Sequence, residues 1–217
     1  LHIGCDPKAD STRLLCKERI KTVLEVLEEK DYPEREDLVY RSESGVWCVE
    51  SGGPEAGNGC AGMGIITAMK ELERIGVLEE DWDVIIYDVL GDVVCGGFSV
   101  PMRQGYVDRV YIVSSADFMS LYAANNISSA VRNFEDRSYA RVFGIVLNHR
   151  NVENETEKVQ AFADKSGIPI VGEIPRSDEI IRWEDQGKTV IEGDAKSSIS
   201  RRFFDLAEML LKAEEEE

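Results

Sequence analysis

The chain has 217 residues and a formal net charge of −17, with 43% hydrophobic and 31% charged residues. These proportions are ordinary for a globular protein, and the length favours a single domain with a buried core. The acidic excess argues against a nucleic-acid-binding surface, which needs clustered lysine and arginine, and no apolar run reaches the ~18–20 residues that span a bilayer.

The five cysteines are an odd number. In a chain of this length that favours a reducing compartment, where thiols serve chemistry, over a disulfide framework. We therefore expect a cytoplasmic protein.

The hydrophobic pattern predicts strands that alternate with helices. In chain order, the predicted elements are a strand end at Leu1–Asp6, a helix at Ile20–Lys30, a strand at Val46–Glu50, a helix that begins after Cys60 and ends near Gly76, strands at Val84–Tyr87 and Arg109–Ser114, a helix at Phe118–Phe134, a strand at Arg141–Leu147, a helix at Glu155–Ser166, a strand at Pro169–Ile174, and helices at Glu179–Gln186 and Ser197–Glu217. The segment 31–45 is polar and is expected to be irregular. This alternation predicts an α/β fold with a doubly wound, mostly parallel sheet covered on both faces.

The segment Asp88–Phe98 carries the most informative residues. Asp88 follows the apolar run Val84–Tyr87, which indicates a buried strand, and parallel α/β sheets bind ligands at the carboxyl ends of their strands. Gly91 would allow backbone N–H groups to approach an anion, and Cys95 is followed by two glycines that leave its sulfur uncrowded. The segment therefore joins a candidate phosphate site to a candidate thiolate ligand.

A second cysteine has a similar setting. Cys60 lies in the glycine-rich stretch Gly57–Gly64, directly before a helical pattern. Unpaired N–H groups at a helix N-terminus stabilise a thiolate, which favours metal or cluster ligation. The alternative for either cysteine is a small buried residue in a tight turn.

Two further polar groups follow predicted strands. Asp6, Lys8 and Asp10 come after the first strand end, where they could face phosphates and magnesium or form a solvated charged turn. Asn148 follows Arg141–Leu147, and its amide can both donate to and accept from an adenine edge, although such a residue also commonly ends a strand in a turn.

The motifs Cys48–Glu55, Gly59–Gly62, Tyr87–Phe98 and Tyr122–Ser128, with the opening Ile3–Arg13, resemble the nitrogenase iron protein family, which includes the reductase subunits of chlorophyll biosynthesis and other nitrogenase-like systems. The resemblance covers nearly the whole chain and implies a fold of the P-loop NTPase type. The family's first strand, phosphate loop and first helix would lie upstream of Leu1, and the pattern Gly-x-x-x-x-Gly-Lys-Ser/Thr does not occur here. We therefore expect residues 1–217 to be a single domain, truncated at its N-terminus, that is inactive by itself.

The resemblance also implies a role for each candidate residue. Cys60 and Cys95 from each of two subunits would hold one [4Fe–4S] cluster across a homodimer. For Mg-ATP, the implied residues are Asp6, Lys8 and Asp10 in the first nucleotide switch, Asp88 at the magnesium or its water, Gly91 and Asp92 at the γ-phosphate, and Asn148, Pro175 and Arg176 at the base.

The activity implied is ATP-dependent transfer of single low-potential electrons from this cluster to a catalytic partner enzyme, with a ferredoxin or flavodoxin as electron donor. One alternative is a nitrogenase-like reductase whose partner reduces a tetrapyrrole or a sulfur compound. Another is a cluster-free partitioning or assembly ATPase, which would need neither Cys60 nor Cys95. Met63 occupies a position where nitrogenase iron proteins usually carry an arginine, so this chain is expected to escape arginine-directed ADP-ribosylation there.

Overall fold

The computed structural model describes residues 1–54, 61–91, 100–103, 105–135 and 140–212. Contacts divide the chain into two compact units, Leu1–Pro101 and Met102–Glu217. This division does not test the expectation of a single domain, which stays a prediction.

The first unit is built on a four-stranded sheet. Its strands are β1 (His2–Gly4), β2 (Tyr40–Arg41), β3 (Trp47–Glu50) and β4 (Ile86–Asp88). The spatial order is β2-β3-β1-β4, in which β1 runs parallel to both neighbours and β2 runs antiparallel to β3. The helices are α1 (Arg13–Cys16), α2 (Val23–Glu29), α3 (Arg35–Leu38) and α4 (Ala61–Arg74), followed by a 3₁₀ turn at Val77–Glu79. A short helix, α5 (Val100–Arg103), spans the boundary to the second unit.

The second unit is built on a three-stranded parallel sheet in the order β5-β6-β7. Its strands are β5 (Arg109–Ser114), β6 (Arg141–Asn148) and β7 (Ile170–Ile174). Its helices are α6 (Phe118–Glu135), α7 (Glu155–Ser166), α8 (Asp178–Glu184), α9 (Val190–Asp194) and α10 (Ser198–Lys212).

Strand β6 lies between two layers of helices. Ile145 and Leu147 are buried on one face with Val159 of α7, whereas Val146 is buried on the other face with Val190 of α9 and Ile199 of α10. A strand covered on both faces is expected to be continuously apolar, as the run 144–147 is. Because both faces of β6 are covered, polar residues of this strand become accessible at its carboxyl end.

One predicted boundary moves for a local reason. The helix expected from Ile20 begins at Val23, because the Thr22 hydroxyl accepts a hydrogen bond from the Glu25 N–H at 3.2 Å and the Glu25 carboxylate accepts one from the Thr22 N–H at 2.9 Å. This capping box satisfies N–H groups that otherwise lack a helical partner, and so fixes the start. The last helix is described as far as Lys212, and residues 213–217 lie outside the described part of the chain.

Two predictions of local structure were wrong. The segment 31–45 is not wholly irregular, because Arg35–Leu38 is helical and Tyr40–Arg41 pairs with β3. The run Val84–Tyr87 is not a buried strand: pairing covers Ile86–Asp88, and Ile86 is 54% exposed. Apolar content alone could not distinguish a central strand from one at the edge of the described sheet, which is where β4 lies. No helix among the described residues is long and apolar enough to cross a membrane.

Candidate functional site

The carboxyl ends of β1 and β4 bring two predicted segments together in the first unit. Gly4 and Asp88 are register partners in these adjacent parallel strands, and the Cys5 N–H donates to the Asp88 carbonyl at 2.9 Å. The segment from Asp6 to Asp10 therefore leaves the sheet at the same edge as Asp88. This is the edge at which parallel α/β sheets bind ligands.

A chain of side chains fixes the Asp88 carboxylate. The Ser11 hydroxyl donates a hydrogen bond to Asp88 Oδ2, and Ser11 Oγ lies 2.7 Å from His2 Nε2. Burial lowers the pKa of His2, with the Asp88 charge opposing this effect. Since the serine proton goes to the aspartate, the imidazole supplies a proton to Ser11 Oγ through Nε2–H. The segment after β1 is thus tied to the end of β4 by a directed set of hydrogen bonds.

Asp6, Lys8 and Asp10 form an open charged turn. The Lys8 N–H donates to Asp6 Oδ1 at 2.8 Å, and the Lys8 ammonium lies 3.4 Å from Asp6 and 3.6 Å from Asp10. The Lys8 side chain is 71% exposed, and its hydrogen bond to Asp6 raises its pKa. Within the described ranges, no three His, Cys, Asp or Glu side chains are grouped so as to hold a metal ion. The carboxylates predicted for magnesium therefore share one edge without forming a ligand set here.

Glu50, at the end of β3, is a buried carboxylate that sequence reasoning did not select as a site residue. Its side chain is 1% exposed, and Oε1 accepts from the Thr12 N–H at 2.7 Å and from the Thr12 hydroxyl at 2.8 Å. Burial raises the pKa of Glu50, and the bonds from Thr12 oppose that rise. Oε2 has no hydrogen-bond partner among the described residues. Glu50 therefore anchors the segment after β1 from beneath, next to the Ser11 contact.

The predicted cluster ligands lie outside the described residues, as does Asp92. Helix α4 is described from Ala61 onwards, and the position of Cys60 directly before a helix stays a prediction. Gly91 is described and exposed. Met63, in the first turn of α4, is 56% exposed.

The other three cysteines are held as thiols. Cys5 and Cys48 are fully buried, and burial raises the pKa of each to about 12. Burial also raises the pKa of Cys16, which is partly exposed. Because metal ligation requires the thiolate, these surroundings suit packing better than ligation.

In the second unit, Asn148, Pro175 and Arg176 line one cleft of about 450 Å³. They meet there because β6 and β7 are adjacent and parallel, so that residues following both strands emerge at one edge. Ser115 and Ser177 are also among the lining residues. Most of the residues that line the cleft are polar or charged, and its volume falls in the range of small-molecule sites. That these residues contact a nucleotide base stays a prediction.

His149, which sequence reasoning missed, also lines the cleft. Its Nδ1 lies 2.9 Å from Glu155 Oε2, and its Nε2 lies 3.0 Å from Glu173 Oε2. Burial acts to lower the pKa of His149, but the hydrogen bonds with Glu173 and Glu155 outweigh burial and raise it. Glu155 opens α7 just after His149, but Glu173 lies 24 residues further along the chain on β7, so no local motif could have indicated the whole group.

Comparison with known proteins adds the family context. A model of the 4Fe-4S iron sulfur cluster binding proteins, NifH/frxC family, matches residues 1–216. Nitrogenase iron protein 2 of Methanothermobacter thermautotrophicus is 50% identical over 208 residues, which are 96% of this chain and 77% of that protein. Nitrogenase iron protein 2 of Methanobacterium ivanovii is 45% identical over 215 residues, 99% of this chain and 80% of that protein.

Solved structures similar to this chain include a Pyrococcus furiosus cell division ATPase, MinD, with a TM-score of 0.70 at 18% identity, covering 97% of this chain and 84% of that one. A ParA family ATPase from Chlorobium tepidum has a TM-score of 0.70 at 17% identity. The match covers 96% of this chain and 83% of that one. At such identities the likeness shows the fold alone. The predicted fold class, an α/β chain of the P-loop ATPase type with mostly parallel strands, is confirmed.

Proposed function

Since the chain belongs to the NifH/frxC family of 4Fe-4S iron–sulfur cluster binding proteins, we propose that it is an ATP-dependent electron-transfer reductase of the nitrogenase iron protein type. It passes single low-potential electrons from a [4Fe–4S] cluster shared by two identical subunits to a catalytic component, and takes them from a ferredoxin or flavodoxin in the cytoplasm. The observation that carries this proposal is the 50% identity to a curated nitrogenase iron protein over 96% of the chain.

The cluster is assigned to Cys60 and Cys95 of each subunit. A [4Fe–4S] cluster takes four thiolates, which two cysteines from each of two subunits supply. This assignment rests on the family resemblance, and it is supported by the state of the other cysteines: Cys5 and Cys48 are buried with pKa values of about 12, so both are held protonated. When bound, the cluster supplies a one-electron redox centre.

The nucleotide switch is assigned to the segment after β1 and to the end of β4. Bound magnesium would supply positive charge to the phosphates, and Asp88 would hold it or its water. Ser11 orients the Asp88 carboxylate by a hydrogen bond, and Glu50 holds the neighbouring backbone through Thr12. A phosphate that displaced the Ser11 contact would therefore change the link between the two segments, which is the kind of local event that biases a two-state switch.

Asp6, Lys8 and Asp10 are proposed to respond to the nucleotide, with Gly91 and Asp92 at the γ-phosphate. Asn148, Pro175 and Arg176 are proposed at the base. The cleft that these last three residues line supports their joint assignment. The Asn148 amide can donate to and accept from the edge of an adenine ring.

The cluster assignment is tested by anaerobic iron analysis and size determination on cysteine variants of the intact protein. We expect Cys60→Ser and Cys95→Ser to lose both the iron and the subunit bridge, because each removes half of the four ligands. Cys16→Ser and Cys48→Ser are the matched controls and should keep both. A Cys95→Ser dimer that retains four irons would contradict the assignment, as would a monomer that binds a whole cluster.

The reaction itself is tested with the reduced protein, Mg-ATP and a nitrogenase catalytic component. Electron transfer that requires ATP supports the proposal. Wild-type protein purified without oxygen but free of iron, with ATPase activity, would instead identify a cluster-free partitioning or assembly ATPase. About two iron atoms per chain exclude that class.

Met63 favours a second candidate, a reductase for another catalytic partner such as one that reduces a tetrapyrrole or a sulfur compound. The Met63 side chain is 56% exposed near the described start of α4. Met63 comes three positions after the proposed ligand Cys60 in the chain. A methionine there cannot make the charged contact that an arginine makes. Transfer of electrons to such a partner, and none to a nitrogenase component, would select this candidate.

A further inference from the structure

His149 joins two elements that border the proposed base-binding cleft. Its ring lies between Glu155, the first residue of α7, and Glu173 of β7, with the nitrogen–oxygen distances of 2.9 and 3.0 Å given above. Its backbone N–H donates to the Ile174 carbonyl at 2.9 Å, which extends the pairing of β6 and β7 beyond Asn148.

Both side-chain contacts require a protonated ring. A neutral imidazole has one N–H and one lone pair, so it can donate to only one of two ionised carboxylates, whereas an imidazolium donates to both. With carboxylate oxygens at hydrogen-bond distance from both ring nitrogens, the geometry is that of the imidazolium. Charge-assisted hydrogen bonds of this kind are stronger than neutral ones.

The contact of His149 with Glu155 differs in strength from its contact with Glu173. Glu155 is 7% exposed and also accepts from the N–H groups of Arg150 at 2.7 Å and Asn151 at 3.1 Å. Burial acts to raise the pKa of Glu155, but hydrogen bonds, led by that of the Arg150 N–H, lower it to about 2. The Glu173 side chain is 47% exposed, and its Oε2 is in hydrogen-bond contact with His149. Loss of the ring proton therefore releases Glu173 first.

The other charged groups around the ring come from several elements. Arg150 and Arg176 line the same cleft. Asp117, just before α6, is hydrogen bonded to Ser115, and its pKa is lowered by this bond and, to a lesser extent, by the charge of Arg150. From α8, the lining residues Ile180 and Ile181 are uncharged. The groups that act on the His149 proton are the carboxylates of α7 and β7.

We infer that His149 is a positioning residue for the nucleotide base: as an imidazolium it links α7 to β7 and so fixes the strand ends that carry Asn148 and Pro175. This inference rests on the proposed nucleotide-binding function. It predicts a site whose affinity depends on pH, because the link is complete only while the ring is charged. A raised folded-state pKa means that the link is present at low pH and is lost as the pH rises through that value.

The protonation is tested by NMR titration of the imidazole C–H signals. The His149→Gln variant assigns the His149 signal by its loss. We expect the His149 pKa to lie above the ordinary value of about 6.5 and to fall in Glu173→Gln. Glu157→Gln, which removes the same charge from an exposed position on α7, is the matched control and should leave the titration unchanged. A His149 pKa at or below the ordinary value would overturn the inference.

The positioning role is tested by MgADP binding to the intact protein across the same pH range. Wild-type affinity should fall about three- to tenfold as His149 loses its proton, the effect of losing about one hydrogen bond. In Glu173→Gln the affinity should stay high and become independent of pH, because the glutamine amide can donate to the neutral ring. Glu157→Gln should follow the wild type. In ATPase assays, His149→Gln should raise the KM for ATP and leave kcat unchanged.

The outcomes separate this inference from the function on which it rests. Wild-type affinity that stays constant across the His149 titration would overturn the positioning role alone, as would a Glu173→Gln variant with wild-type pH dependence. Wild-type protein that binds no MgADP at any pH would overturn the proposed function and this inference together.

Discussion

At the scale of single residues, Gly4 is fitted to the buried carboxylate of Glu50. A Cβ at Gly4 would lie 2.0 Å from Glu50 Oε2 and 2.9 Å from Ser11 Cβ. Gly4→Ala should therefore push the carboxylate away from Thr12 and lower the free energy of unfolding by about 1–3 kcal/mol, the usual cost of overpacking. Urea denaturation of the variant and the wild type measures this.

Gly91→Ala is the matched control for stability. A Cβ there would meet no atom of the described chain within 4 Å, so the free energy of unfolding should stay close to that of the wild type. If Gly91 approaches the γ-phosphate as proposed, this variant should lose ATP-dependent activity without losing stability. Equal destabilisation of the two variants would contradict the fit between Gly4 and Glu50.

The sequence allowed some site residues to be predicted and not others. Asn148 could be selected because it follows an apolar run, and parallel sheets bind ligands where their strands end. Pro175 and Arg176 were implied only by the family resemblance. Glu50 and His149 could not be selected, since a glutamate that ends a strand and a histidine in a turn are ordinary in sequence. Glu50 is distinguished by its hydrogen bond with Thr12, and His149 by its contact with Glu173. Only the tertiary structure creates these contacts.

At the scale of elements, the start of α7 depends on an ionised carboxylate. The pKa of Glu155 is lowered from 4.5 to about 2, so its contribution to stability is present above about pH 4.5 and is lost as the pH falls towards 2. Stability measured by urea unfolding should decline over this range. Glu155→Gln should be less stable at neutral pH and show a shallower decline.

Glu157→Gln provides the comparison for this prediction, because it makes the same change at an exposed position two residues further along α7. It should keep both the stability and the acid dependence of the wild type. A Glu155→Gln variant with the full wild-type decline would show that other carboxylates control the acid transition.

Elements were predicted well where the apolar residues form a clear run or recur with a helical period. The predicted strand Arg109–Ser114 and helix Glu155–Ser166 agree with β5 and α7. The failures have physical causes. Strand β2 is two residues long and is stabilised by pairing with β3, and the apolar run before Asp88 lies at the edge of the sheet as far as it is described. Pairing partners distant in sequence decide such cases.

At the scale of the whole molecule, Met63 bears on the docking of a partner. The side chain is exposed, so Met63→Arg should leave folding unchanged. If the proposed function is correct and an arginine contact is what the chain lacks, this variant should dock about two- to fivefold more tightly with a nitrogenase catalytic component, the range of an exposed ion pair. Competition between the variant and the wild type in electron-transfer assays measures the difference.

Modification provides a second measurement at the same position. Arginine-directed ADP-ribosyltransferase with labelled NAD should leave the wild type unlabelled in the peptide from Cys60 to Lys70 and label Met63→Arg there. Label on the wild-type peptide would contradict the prediction.

The placement of the tryptophans gives each compact unit its own fluorophore. Trp47 and Trp82 lie edge to face in the first unit, with ring centroids 6.3 Å apart and the Arg35 guanidinium 4.5 Å from the Trp47 ring. Trp183, the third of three, is in the second unit near Arg182. Emission from Trp183→Phe therefore reports unfolding of residues 1–101 only, while emission from a Trp47→Phe, Trp82→Phe variant reports the rest. Coincident denaturation curves would identify one cooperative domain, and separate midpoints would identify two.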